Sequence, residues 1–118
     1  MKASALENIE YGMFVLTAND NGRDNGCIIN VVAQVTDTPK RVAFTVNKNN
    51  LTHDMVANTG KFNITILAQN TNLELIKRFG FQSGRGIDKF ENYAEAKRAE
   101  NGIYYITETS NAYISGIV

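Results

Sequence analysis

A single cysteine, a single histidine and a single proline leave several chemistries without material. One thiol, Cys27, cannot form an internal disulfide or a cysteine-rich metal centre, and it suits a reducing compartment. His53 has no second histidine or nearby cysteine to share a metal, and no evident nucleophile to activate. It reads as a helix residue, and no metal site is expected. Twelve basic residues balance twelve acidic ones without a long block of either sign. Neither nucleic acid nor an anionic membrane therefore has an electrostatic claim on the chain. No apolar run approaches membrane-spanning length, and the N-terminus lacks a signal-like stretch. A cytoplasmic protein is expected, in which the sequons at Asn50-Leu51-Thr52 and Asn63-Ile64-Thr65 are chance matches.

What remains is enough for one core. At 118 residues and 43% apolar content, residues 1–118 read as one globular domain without repeats or linkers. Residues 11–18 are nearly all apolar, as in a strand covered on both faces. Asn19-Asp20-Asn21-Gly22 and Asn25-Gly26 carry turn chemistry. Cys27 to Thr36 reads as one second strand, Arg41 to Asn47 as a third and Lys61 to Leu67 as a fourth. A short helix is expected from Asn50 to Asn58, closed by Gly60. Thr71-Asn72-Leu73-Glu74 has the capping-box pattern and predicts a helix to about Phe79. Ile103 to Thr107 and Ala112 to Val118 return to strand composition. The fold class is mainly β, a β-barrel or sandwich with short helices. The chain stops within strand-like sequence, at Ser115-Gly116-Ile117-Val118. Three outcomes are open there: closure by another route, final strands that are absent, or strands supplied by a partner.

Three segments could carry chemistry. With a period of two, Ile28, Asn30, Val32, Gln34 and Thr36 share one face of the second strand; Cys27, Ile29, Val31, Ala33 and Val35 share a core-like one. Asn30 and Gln34 interrupt an apolar face, as a flat ligand with a polar edge would require, or they satisfy neighbouring backbone and water. Asn47-Lys48-Asn49-Asn50-Leu51-Thr52-His53 places a lysine, amides and a hydroxyl at a helix start. That is a phosphate cradle or plain capping by Asn50. Arg78-Phe79-Gly80-Phe81-Gln82-Ser83-Gly84-Arg85-Gly86-Ile87-Asp88-Lys89-Phe90 combines glycines, cations and aromatics. It is a clamp for a phosphate-bearing ligand or a surface turn with solvated charges. Gly84-Arg85-Gly86 is not a dinucleotide fingerprint, because it lacks the third glycine and follows a helix.

These three segments, in this order, resemble the flavin reductase-like, FMN-binding split-barrel family. Within it the chain is most similar to the flavin domains of high-molecular-weight rubredoxins and flavoredoxin-like proteins. The resemblance runs from about Leu6 to the C-terminus. It implies FMN as cofactor and a homodimer of split barrels with the flavin near the shared interface. By position, Asn30, Val31 and Val32 should lie along the isoalloxazine, largely through backbone. Lys48, Asn50 and Thr52 should hold the phosphate end. Ser83, Arg85 and Lys89 should sit near the flavin or its reductant, with Arg85 and Lys89 as exposed charges that contribute little to folding. Cys27, Ile28 and Ile29 stand where many relatives have more polar residues, and relatives continue for a further pair of strands. The implied activity is that of an NAD(P)H:flavin reductase-type oxidoreductase. Its acceptor would be rubredoxin, a flavodiiron protein or free flavin, and no side chain need act as catalytic acid or base. The rival is a non-enzymatic flavin-binding or dimerisation module.

Overall fold

A computed structural model describes residues 12–68, 70–108 and 112–118. Tyr11 and Leu6, where the expected first strand and the resemblance begin, lie outside the described residues. The centre is a sheet of four strands: β1 (Phe14–Asp20), β2 (Arg23–Ile29), β5 (Lys61–Ile66) and β8 (Tyr113–Ile117). Their order is β2-β1-β5-β8 and every pairing is antiparallel. Two short ladders flank it: β3 (Val32–Asp37) with β4 (Lys40–Phe44), and β6 (Ala96–Arg98) with β7 (Tyr104–Ile106). Helices α1 (Leu51–Thr59) and α2 (Leu73–Gly80) complete the described elements.

Alternation along β1 explains its apolar run. Leu16 and Ala18 point into a core shared with Cys27, Ile29, Met55, Val56, Phe62 and Ile64, covered by α1 and the β3–β4 hairpin. Val15 points the other way, to Leu67, Leu75, Phe79 and Ile106 under α2 and the β6–β7 hairpin. A strand with two buried faces needs apolar residues at both parities.

Local chemistry sets the ends of the elements. Asn21 and Gly22, both at positive φ, form the two-residue β1–β2 turn, a conformation Asn and Gly tolerate. Helix α1 starts where Asn50 Oδ1 accepts from Thr52 N at 2.9 Å and ends at the left-handed Gly60. Helix α2 differs from the expected capping box. Its N-cap is Asn72, which accepts from Glu74 N, while the Thr71 hydroxyl donates to the Ala68 carbonyl.

Two expectations about the second strand are corrected. Asn25-Gly26 is no turn but mid-strand: Asn25 is buried, and a Cβ at Gly26 would crowd Thr17 and Phe79. The glycine serves close approach. Nor do Cys27 to Thr36 form one strand, because the chain leaves the main sheet at Asn30-Val31 and restarts as β3. Cys27 and Ile29 are core as expected, but Val35 is 58% exposed and Ala33 and Gln34 face solvent.

Parity also decides which edge groups are open. Leu67 donates to the Met13 carbonyl at 3.0 Å, so Val15 and Thr17 turn their backbone groups toward β5. Their partners in β2, Ile28 and Gly26, therefore present N–H and C=O to the outer edge of the sheet.

The β6–β7 hairpin is fastened to the sheet by side chains. Thr17 Oγ1 donates to the Tyr104 carbonyl at 2.6 Å, and Asn63 Nδ2 to the Ile103 carbonyl at 2.9 Å. Thr65 Oγ1 accepts from Ile106 N at 3.1 Å, and Asn63 Oδ1 accepts from Asn101 and Ser115. Thr17, Asn63 and Thr65 are all fully buried, so their satisfaction is obligatory. Asn63→Ala should orphan several of these partners and lower stability by about 2–4 kcal/mol. Urea unfolding followed by circular dichroism checks this, and a loss comparable to that of an exposed alanine substitution would contradict it.

Candidate functional site

The open edge of β2 is where the two motif segments meet. Helix α1 lies on one side of the sheet and α2 on the other. The loop after α2 wraps around β2 from one to the other. Gly80, the last residue of α2, rests on Ile28, where a Cβ would meet Ile28 Cγ1 at 3.0 Å. Gly84 is buried against the Asn25 side chain with no room for a Cβ, and its carbonyl accepts from Arg23 Nη2. Arg85 then crosses to α1: Nη2 lies 2.7 Å from Asp54 Oδ2 and 3.3 Å from the Asn49 carbonyl.

Between these parts lies a depression of about 310 Å³. Asn47, Asn49, Asn50 and Leu51 line one side; Gly80, Phe81, Gln82, Ser83 and Gly84 line the other. The first-turn N–H groups of Leu51 and His53 have no intrahelical acceptor, as at any helix start. No carboxylate lines the depression, whereas the other three depressions described each carry at least one. Open N–H donors, amides and a hydroxyl, without competing anions, suit a phosphate.

The expected site residues divide accordingly. Asn50 and Ser83 line the depression, and exposed Lys48 stands in its Asn47–Asn50 turn. Ser83 Oγ accepts from Arg85 N at 3.1 Å, which holds the loop's bend. Asn30 is exposed at the break after β2; Val31, whose carbonyl accepts from Thr45 N at 3.3 Å, and Val32 are half-buried.

Two residues point elsewhere. Thr52 is fully buried, and its hydroxyl accepts from Asn25 Nδ2 at 2.9 Å, so that oxygen faces the protein. Lys89 is only 2% exposed, and its ammonium donates to the Gly26 carbonyl at 2.8 Å and the Phe79 carbonyl at 2.9 Å. The expectation of a solvated charge with little role in folding is therefore corrected at Lys89. Its carbonyl in turn accepts from Arg78 Nη1 at 2.8 Å. One carbonyl ends α2 and the other faces out from β2, so both lack a secondary-structure donor. Two contributors to this geometry, Arg23 and Asp54, carry no sequence signal of their own. Asn25 reads in sequence as turn chemistry, and Phe81 only as one aromatic of the Arg78–Phe90 segment.

Burial also shapes the titrations. It pulls the Lys89 pKa down, opposed in part by the nearby Cys27 sulfur. It pushes the Cys27 thiol up, against the Thr52 hydrogen bond and the Lys89 charge. This agrees with an inert, buried cysteine. Asp54 is held below the ordinary carboxylate value by hydrogen bonds from Arg85 and then His53.

A two-faced sheet with this motif-bearing edge is the flavin-binding split-barrel arrangement, and residues 6–116 match the family described as flavin reductase like domain. The chain belongs to that family. It is 40% identical over 97% of its length to the high molecular weight rubredoxin of Moorella thermoacetica, and 36% identical over its full length to the ferric-chelate reductase (NAD(P)H) of Archaeoglobus fulgidus. It spans 49% of the first and 69% of the second. The flavoredoxin of Methanosarcina acetivorans shares the fold, with a TM-score of 0.80 at 23% identity over 92% of this chain and 57% of that one. The residues around the depression fit the phosphate end of a flavin nucleotide, by donor chemistry and by the lack of carboxylates.

Two outcomes follow for the loop. Lys89→Met keeps the stem but orphans two buried carbonyls, so it should cost about 1–3 kcal/mol in chemical denaturation. A stability unchanged from the parent would show the ammonium to be dispensable. Asp54 has a lowered folded pKa, so its contribution is present above the ordinary carboxylate value of about 4 and is lost as pH falls through the lower one. The stability difference between the parent and Asp54→Asn should therefore close on acidification; a difference that persists at low pH would assign it to another cause.

Proposed function

We propose that this domain binds FMN over the open edge of β2, phosphate at the start of α1, and serves NAD(P)H-dependent electron transfer of the flavin reductase type. The observation that carries this is the carboxylate-free depression where Asn47–Leu51 meets Gly80–Gly84. Membership of the flavin reductase-like family and the NAD(P)H in a relative's name support the activity. When bound, the flavin supplies hydride and single-electron chemistry.

The chain's own residues bind and orient. The N–H groups of Leu51 and His53, the Asn50 region and the Ser83 hydroxyl receive the phosphate, aided by the favourable dipole end of α1. Lys48 and Arg85 supply positive charge, and Arg85 exchanges part of its contact with Asp54 for the ligand. Asn30, Val31 and Val32 line the ring through backbone, beside the outward N–H and C=O of Ile28. Thr52 and Lys89 act from behind: Thr52 fixes Asn25 under Gly84, and Lys89 holds the loop to β2.

Residues 1–118 form a single flavin domain that pairs as a homodimer and passes electrons to an acceptor such as rubredoxin, a flavodiiron protein or free flavin. The dimer is supported by an apolar groove of about 930 Å³ between the β3–β4 hairpin and β8, with Val42, Phe44, Phe62 and Ile114 in its walls. A cytoplasmic location is supported by the one buried, unpaired thiol. Among the described residues, no helix is long and apolar enough to cross a membrane.

Calorimetric titration with FMN and riboflavin tests the placement. Lys48→Ala should weaken FMN by about tenfold or more, the loss of one charged contact, and leave riboflavin unchanged. Equal losses for both would move the phosphate elsewhere. Tight flavin binding without NAD(P)H oxidation would instead favour a binding or dimerisation module.

A further inference from the structure

Phe81 is 70% exposed, although the phenylalanines around it are core or half-buried. Its exposure does not come from a slack loop. Phe81 N donates to the Lys77 carbonyl at 3.1 Å, which closes α2. The preceding Gly80 is packed on Ile28, and Gly84 is pinned between Asn25 and Arg23 three residues on. Backbone fixed on both sides leaves the ring no route to the core, where Phe79 already fills the space beneath α2. The ring is thus held out, on the wall of the depression that contains Asn47, Asn49, Asn50 and Leu51.

We infer that Phe81 is a ligand-contact residue, whose ring packs against the planar ring system of the flavin bound at this edge. The inference rests on the proposed flavin site. Two chemistries share one depression: N–H and amide donors at the start of α1, and the apolar surfaces of Phe81 and Leu51. A ligand that carries a phosphate at one end and a flat conjugated ring at the other uses both. Aromatic rings gain from offset or edge contact beyond the area they bury, and burial of an exposed ring is favourable in itself. A second copy of the chain could also cover the ring, and the experiment separates the two.

Because the side chain is exposed, Phe81→Ala should leave the melting temperature within about 2–3 °C of the parent. Titration calorimetry should show FMN and riboflavin weakened alike, by about five- to tenfold, since both carry the ring. Phe81→Trp gives the chain its only tryptophan. It should restore the affinity, and its emission should fall as FMN is added. Parent-like affinity of Phe81→Ala for both ligands overturns the inference. So does a loss of oligomer mass in sedimentation with flavin affinity intact, which would assign the ring to a contact between copies. Failure of the phosphate placement is read separately, from Lys48→Ala. If Lys48→Ala does not distinguish the ligands while Phe81→Ala weakens both, the ring contact stands and the phosphate lies elsewhere.

Discussion

The site depends on one buried ammonium. Lys89 spans the outer edge of β2 and the end of α2, and it satisfies a carbonyl from each. Neither carbonyl has a partner within its own element. Without the ammonium, the edge of β2 would present open backbone and α2 would end on an orphan acceptor. The loop between them packs Gly80 against Ile28 and Gly84 against Asn25 before it reaches Lys89. Arg78, which donates to the carbonyl of Lys89, closes this arrangement from the helix side.

Around that constraint the molecule separates structural from ligand-facing polarity. Thr17, Asn63 and Thr65 are buried deep in the sheet; all three bond to the β6–β7 hairpin, and Asn63 also accepts from Ser115 of β8. Asn25 and Thr52 are likewise paired with each other beneath the loop. The groups left at the depression are those that secondary structure does not satisfy: the first N–H groups of α1 and the side chains of the two turns that line it. A ligand with a phosphate and a polar ring edge meets demands that the fold itself leaves unmet.

The glycines show how one residue type can mislead in one place and inform in another. Asn25-Gly26 has turn chemistry, yet Gly26 sits mid-strand because Phe79 approaches it from the far side of the sequence. The Asn21-Gly22 turn and the Gly60 cap follow local rules, since positive φ is a local property. Close approach is a tertiary property, and no window of sequence around Gly26 contains Phe79. The break at Asn30-Val31 was hidden for a similar reason. Residues 27–36 are uniformly β-prone, and only the pairing of β3 with β4 shows where the strand leaves the sheet.

By itself, the sequence determined the mainly β character, the two helices with the Asn50 and Gly60 caps of α1, the two-faced apolar run of β1 and the motifs that mark the flavin family. These are consequences of periodicity, capping and residue spacing, all of which act over a few neighbours. Tertiary structure alone decided which charged residues of the motifs remain available. Arg85 and Lys89 are four residues apart in the same loop and look alike in sequence. One reaches across the surface to Asp54 and the other is drawn inside by two carbonyls from distant elements. The difference lies in which unsatisfied backbone groups each side chain meets, and that is settled only when β2, α2 and the loop are packed together.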